Sequence, residues 1–585
     1  MDPSSSHRPV HPSKDQEKER QQWSKPIEFL LSCIAMSVGL GNVWRFPSVA
    51  YENGGGAFLI PYIVVLFVLG KPLYFLELAL GQFTSYGCVG VWNLAPAFRG
   101  IGYGQMIAST AIVSYYVSIM AVTLFYMYSS FASTLPWTVC NAAFVNISTC
   151  VGINTNVSAN TSRGDQQLIS SADAFYTFEV QKAVDSMEDG IGLPEWRLVI
   201  CLLLSWLAIL FTIVKGVKSS GKVAYFTALF PYVVLFTLLV RGLTLPGAID
   251  GILFYLKPQW SKLLTLKVWS EAVVQCFFSL SVGFGVISMF ASFNGFRHNV
   301  ARDAAIISLT DMATSFLAGL TTFSILGNLA SETNQNIEDV ARGSSGAKLA
   351  FVTYPTALAN FPGVPQLFAV LFFLMLFTLG LGSAAALASC SITVICDKFP
   401  KLARWKVTTL ICACGFLIGL VYVTPAGNLI LNLVDAFGAG FVVMVLASLE
   451  VVILSWVYGV RNLVRDFGFM LGHKPNIYSK ICWGIMMPII LIGLSIYTML
   501  ALPNMLDRSK YTTAALVGGW GLTILAFLPL PLSFIHAFAT SKGDNTLERL
   551  KTIVKPNSRW GPKLETDRIG WLDEIGVDDV DSKPV

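Results

Sequence analysis

Apolar runs of roughly 20 residues recur along most of the chain, the length a helix needs to cross a hydrocarbon layer about 30 Å thick. The pattern predicts twelve spans, over 28–49, 56–80, 105–132, 197–214, 225–245, 270–293, 305–328, 366–396, 406–424, 430–458, 480–502 and 514–538. The stretch 329–365 is amphipathic and too polar to span, so it predicts a helical lid. The first 27 residues are polar and lack the apolar core of a signal peptide, which predicts an uncleaved N-terminal tail. Residues 539–585 read as a charged, partly disordered tail with Trp560 and Trp571 as candidate docking residues.

Charge then orients the spans. Arg8, Lys14, Lys18, Arg20 and Lys25 precede the first span, and Lys215, Lys218 and Lys222 follow the fourth. Arg297 and Arg302 follow the sixth, Lys398, Lys401, Arg404 and Lys406 the eighth, and Arg461, Arg465 and Lys474 the tenth. All fall on one side of a twelve-span chain, the cytoplasmic side by the positive-inside rule, and both termini join them. The loop 133–196 falls on the other side and is acidic. It also carries three glycosylation sequons, at Asn146, Asn156 and Asn160. Cys140 and Cys150 share this polar loop and predict a disulfide there, whereas most of the eleven cysteines lie in apolar spans. Sequons and basic loops thus agree on a plasma-membrane protein with both termini cytoplasmic.

Composition excludes other classes. At 585 residues, 54% hydrophobic and only 13% charged, the chain is too apolar for a soluble domain. The net charge of +5 follows from the basic loops and calls for no nucleic-acid partner. Five scattered histidines, with neither H-E-x-x-H nor G-x-S-x-G, give no sign of an enzyme or of a cofactor. Selectivity rings of the channel kind are not apparent either.

Two spans break the pattern of a plain membrane helix. The first reads Ala35-Met36-Ser37-Val38-Gly39-Leu40-Gly41-Asn42-Val43-Trp44-Arg45-Phe46-Pro47, with two glycines, an Asn and an Arg inside an apolar run. The sixth reads Phe278-Ser279-Leu280-Ser281-Val282-Gly283-Phe284-Gly285. Glycine lowers helix propensity by about 1 kcal/mol. Unwound backbone at membrane depth persists only where it is buried or lines a cavity. Freed carbonyls can then hold a cation, and half-helix N-termini a carboxylate. Breaks five spans apart fit two inverted repeats of five helices each.

The run Gly41 to Pro47 followed by Tyr51-Glu52-Asn53-Gly54-Gly55-Gly56-Ala57-Phe58 closely resembles the neurotransmitter:sodium symporter family. So do Ser114-Tyr115-Tyr116, Ser220-Gly221-Lys222, Ser279 to Gly285 and Thr378-Leu379-Gly380-Leu381. The resemblance covers roughly residues 20 to 540 and is nearest to the insect sodium-dependent nutrient amino acid transporters. It implies an all-α, twelve-helix LeuT-type fold with a five-plus-five inverted repeat, unwound helices 1 and 6, and alternating access. It implies one Na+ site at the Ser37 carbonyl, Asn42, Ser279 and Asp311, and a second at the carbonyls of Ala35, Val38 and Leu381 with the Ser383 hydroxyl. Hard oxygen ligands suit such a cation. A chloride site would comprise Tyr62, Gln275, Ser279 and Ser315. The substrate carboxylate would meet backbone near Leu40 and Gly41 and the Tyr116 hydroxyl. The side-chain pocket would be lined by Ile112, Phe278, Ser281 and Phe284, with Ala384 and Leu387 below. Arg45 with Asp435, and Arg20 with Asp397, resemble the outer and inner gate pairs.

Gly39 stands where the amine-carrying branch of the family has an Asp that pairs with the substrate amine. A glycine there implies a substrate with its own carboxylate. A pocket without free charge then favours neutral amino acids, since burying an unmatched charge costs several kcal/mol. Glycine, GABA or proline are the alternative zwitterions. Two positions depart from the family pattern. Asp311 replaces the usual Asn one turn before Ser315, which predicts weak chloride dependence and a cation site that admits K+ beside Na+. Gly382 replaces a Thr or Asp and removes an oxygen from the second cation site.

Overall fold

The structure is a computed structural model, and it describes residues 20–141, 150–152, 169–188, 190–333, 335–342, 346–361, 363–502, 506–541 and 543–576. Its principal helices are α1 (Pro26–Ser37), α2 (Gly41–Glu52), α3 (Gly56–Thr84), α4 (Pro96–Ser129), α5 (Trp196–Ile213) and α6 (Val217–Leu243). They continue as α7 (Leu266–Leu280), α8 (Val286–Ala291), α9 (Val300–Thr333), α10 (Pro365–Lys398) and α11 (Arg404–Val423). Last come α12 (Gly427–Leu471), α13 (Ile477–Ala501), α14 (Thr513–Thr540), α15 (Thr546–Ile553) and α16 (Glu565–Ile575). Among the described residues ten of these, α3 to α6 and α9 to α14, are long and apolar enough to cross a membrane. The chain is therefore a multi-pass membrane protein.

The two segments singled out for their glycines are both interrupted. α1 and α2 qualify as a span only when taken together, and they meet at 45°. Val38 leaves the helical region, with ψ 88°, directly after α1 ends. α7 stops at Ser281, whose φ of 56° is left-handed, and α8 begins after Gly285. Gly283 and Gly285 have φ of 83° and 72°. A side chain in that region costs about 1–2 kcal/mol, which is why glycine occupies two of these positions. α1 packs on α6 and α10, α9 lies along the start of α2, and α10 runs along α4, so intact helices surround both breaks.

Elsewhere the sequence reading needs adjusting. The tenth predicted span extends to Leu471, because an amphipathic helix, Val460–Leu471, continues past Gly459. The stretch read as a lid contains helix Leu349–Ala359, whose Phe351 is buried among Trp44, Tyr126, Tyr176 and Phe373. In the 133–196 loop Cys140 and Cys150 are joined as a disulfide. The three sequon asparagines, Asn146, Asn156 and Asn160, lie outside the described residues.

Glu195, at the foot of α5, ties the same loop down by pairing with Lys182 and Arg197. Burial would raise its carboxyl, but the hydrogen bonds from those two cations outweigh this and hold it below the ordinary value. A depressed carboxyl stabilises above its unfolded value and loses that contribution as pH falls through the folded one. Acidification below about pH 4 should therefore loosen this attachment. Protease cleavage between 182 and 195 should rise over that pH range in the native chain and stay flat in Glu195→Gln.

In the C-terminal tail, read as partly disordered, the candidate docking residues Trp560 and Trp571 are buried. Trp560 Nε1 donates to Tyr458 Oη at 2.9 Å and Trp571 Nε1 to Asp466 Oδ1 at 3.1 Å. Tyr458 donates in turn to Asp466. Both indoles pack on Phe83 at the end of α3, 5.4 and 5.7 Å between ring centres. Truncating a buried Trp costs about 3–5 kcal/mol. Trp571→Ala should therefore release α16, read as protease cleavage of the tail in the full chain while the membrane helices stay intact.

Candidate functional site

Both breaks open onto one cavity of about 480 Å³. Gly39, Leu40 and Gly41 line it from the first break, and Phe278, Ser279, Ser281 and Phe284 from the second. α4 adds Ile112 and Tyr116, and α10 adds Ser383 and Leu387. The expected substrate residues thus share one wall, except Ala384, which is fully buried behind it. Tyr116 Oη accepts from the Leu40 N–H at 3.3 Å, and Ser383 Oγ donates to the Met36 carbonyl at 3.0 Å. A Cβ on Gly39 would stand 2.8 Å from Ser383 Oγ and 3.2 Å from Tyr116 Oη.

Behind this wall the Asp311 carboxylate is fully buried. It accepts from Asn42 Nδ2 at 2.8 Å, from Ser279 Oγ at 2.7 and 2.9 Å, and from Tyr62 Oη at 3.2 Å. Asn42 Nδ2 also reaches Ser315 Oγ at 2.9 Å, while Asn42 Oδ1 accepts from the Gly39 N–H at 2.9 Å. Three of the four residues expected around a chloride therefore converge on this carboxylate, Ser315 through Asn42. The fourth, Gln275, faces the cavity and keeps a buried Oε1 without a partner. No Lys or Arg among the described residues forms an ion pair with Asp311 within 4 Å.

The second expected cation set is less gathered. Ala35 and Leu381 line a separate cavity of about 20 Å³ with Gly382, Val38 is buried, and Ser383 faces the main cavity. A Cβ on Gly382 would lie 2.5 Å from the Ala35 carbonyl oxygen. The glycine that removes an oxygen ligand is thus also what lets α1 and α10 touch.

Of the gate pairs, Arg20 and Asp397 are joined at 3.1 Å. Arg45 and Asp435 both line the cavity but form no ion pair. Arg45 stacks 4.4 Å over the Phe278 ring, and Asp435 accepts from Tyr115 Oη at 2.7 Å. The reason is local: α2 carries Arg45 one turn past the break, directly above Phe278, whereas Asp435 sits in the wide turn Asp435–Gly440 of α12, facing α4. Sequence reasoning missed Tyr115, although it adjoins Tyr116 in the quoted motif. It also missed Glu77, Gln105 and Glu450, polar residues within apolar spans, which are a known signal of function or partnership.

A sequence model of the sodium:neurotransmitter symporter family matches residues 20–541. The chain belongs to that family. Its similarity extends to the sodium-dependent nutrient amino acid transporter 1 of Drosophila mojavensis, 48% identical over 96% of this chain and 89% of the relative. The proteins of the same name in Drosophila virilis and Drosophila melanogaster are 48% and 47% identical, covering 96% and 95% of this chain and 90% and 89% of theirs. Membership makes the chain a symporter rather than an enzyme, with sodium as the coupled ion of the family. Asn42, Ser279 and Asp311 are buried polar residues at or behind this cavity.

Proposed function

We propose that this chain is a sodium-coupled secondary active symporter of neutral amino acids in the plasma membrane, working by alternating access. The frame is LeuT-type, with twelve traverses once each broken helix pair counts as one, and with both termini cytoplasmic. The observation that carries this reading is the meeting of two interrupted helices at one cavity, with a buried carboxylate beside them.

The parts act as follows. Sodium is taken up with the substrate, between Asn42, Ser279, Asp311 and the Ser37 carbonyl. To offer its oxygen, the Asn42 amide must turn over, which releases the Gly39 N–H it now binds. That N–H, beside Leu40 and Gly41, then stands free for the substrate carboxylate, so cation and carboxylate favour each other's binding. Tyr116 Oη adds a donor. The substrate side chain lies among Ile112, Phe278, Phe284 and Leu387, where burying a leucine-sized group contributes about 1.5–3 kcal/mol. Of the charged residues that line the same cavity, Arg45 is stacked on Phe278 and Asp435 is held by Tyr115, so neither is offered to a Lys or Glu side chain. Asp311 supplies the charge a chloride would bring, so chloride dependence is weak and K+ can replace Na+.

The test is uptake and current in oocytes, across an amino acid panel, with sodium, potassium and chloride each replaced. Leucine or phenylalanine should lead. Lysine or glutamate leading, with leucine inert, would overturn the neutral assignment.

The Arg20–Asp397 pair, with Arg20 over Phe293 at 4.5 Å, closes one side while Arg45 and Asp435 stand apart. Losing a partly buried pair of about 1.4 kcal/mol shifts the open and closed populations tenfold. Arg20→Ala should therefore cut uptake by about tenfold and raise labelling of a reporter cysteine in the inner vestibule. Unchanged labelling would count against alternating access.

A further inference from the structure

α3 carries a single basic residue, Lys71, near the middle of its 29 residues. Up to that point one stripe of the helix faces outward: Ile60, Ile63 and Val64 are 42% exposed and Phe67 is 37% exposed. Lys71 follows Phe67 by four residues and so continues the same stripe. From Pro72 to Thr84 every residue is buried. Lys71 itself is half-buried and forms no ion pair among the described residues. A charge on the lipid-facing stripe of a span is costly unless something neutralises it.

The Lys71 ammonium lies 5.8 Å from the centre of the Phe67 ring and 5.9 Å from that of Tyr478, the second residue of α13. The backbone explains this seat. α3 widens over Leu66–Gly70, so the Lys71 N–H reaches the Leu66 carbonyl, and Pro72 has no N–H to give. The Phe67 carbonyl is left over and accepts from Tyr478 Oη. Trp483 Nε1 donates to the Pro72 carbonyl at 2.9 Å, a second tie between α13 and α3. α13 is 25 residues long and turns Ile477, Ile481, Ile485 and Ile489 outward. At about 37 Å it crosses a bilayer once, so its first turn stands at headgroup level. Lys71, beside that turn, stands there too, and the buried second half of α3 runs on beyond the hydrocarbon.

We propose that Lys71, seated on Phe67 and Tyr478, binds the phosphate of an anionic phospholipid at the joint between α3 and α13. At that depth the available occupant is a headgroup, and an unbalanced positive charge selects an anionic one. The outward stripes of α3 and α13 run from this point into the hydrocarbon and receive the acyl chains. In the topology proposed above this is the cytoplasmic leaflet, where anionic lipids concentrate; the site itself does not rest on that topology. α3 also carries Tyr62, which donates to Asp311, so a lipid that steadies this joint steadies a wall of the transport site.

The test is native mass spectrometry and thermal unfolding of the purified full chain in a neutral detergent. Phosphatidylglycerol, phosphatidylcholine with the same acyl chains, and inorganic phosphate are each titrated in. Phosphatidylglycerol should stay bound and raise the melting temperature, and the other two should do neither. That comparison uses the unsubstituted chain and requires no variant to fold. Lys71→Gln should weaken retention of phosphatidylglycerol by about fivefold, the share of one lysine at an anionic surface. Lys71→Arg should keep it, and so should Lys480→Gln, which removes an exposed lysine of the same first turn of α13. Three results would each overturn the proposal: phosphatidylcholine or inorganic phosphate acting as well as phosphatidylglycerol, Lys71→Gln retaining the lipid, or equal losses in Lys71→Gln and Lys480→Gln. Neither readout depends on transport, so failure of the lipid site and failure of the symport reading are separable.

Discussion

Asp311→Asn should make uptake depend on chloride. Asn42, Ser279 and Tyr62 aim their donors at a carboxylate that forms no ion pair with a cationic side chain among the described residues. An amide in its place keeps the shape but removes the charge, leaving those donors directed at a weaker acceptor beside a bound cation. Hydrogen bonds to a charged group contribute about 1.5–3 kcal/mol each, so the variant gains a strong reason to admit an anion. Replacing chloride by gluconate should lower uptake by about tenfold or more in Asp311→Asn, an effect of one weakened charge-assisted bond, and by less than about twofold in the native chain. Discrimination of sodium against potassium should sharpen in parallel. A variant as indifferent to chloride as its parent would sink the idea that this carboxylate stands in for the anion.

Gly39→Asp should abolish amino acid uptake and should not create an amine carrier. Its Cβ alone meets Ser383 Oγ at 2.8 Å and Tyr116 Oη at 3.2 Å, so Ser383 must turn away from the Met36 carbonyl to make room. The carboxylate would then face the carboxylate of the substrate. Two like charges 4 Å apart at an effective dielectric of 20 repel by about 4 kcal/mol, which corresponds to roughly a thousandfold loss. Gly39→Ala carries the steric part without the charge and should lose about tenfold, in line with about 1–3 kcal/mol for overpacking. Uptake normalised to surface protein separates the two, and equal losses would refute the electrostatic half of the argument. An amine substrate gains little, because the crowding against Ser383 and Tyr116 remains.

Much of the site was legible in the sequence because its chemistry is concentrated in two short, unusual stretches. Gly39, Gly41 and Asn42 in one apolar run, and Ser281, Gly283 and Gly285 in another, break helices for reasons local to each residue. The family resemblance then assigned Tyr116, Ile112, Asp311 and Ser383 to places that the structure brings to, or directly behind, the cavity wall. The gate reading was less complete. Nothing in the chain order indicates that Arg45 rests on Phe278, or that Tyr115 holds Asp435 across 320 residues.

The sequence by itself determined the membrane class, the recurrence of apolar runs, and where two of them had to break. Those follow from burial of apolar surface and from backbone freedom, which are properties of a residue and its near neighbours. Only the tertiary structure decided what each buried polar group meets. Glu77 reaches Gly283 across 206 residues, Gln105 meets Glu450 across 345, and Trp571 meets Asp466 across 105. In a medium without water such groups must find partners within the protein, and which partners they find is set by how the helices pack.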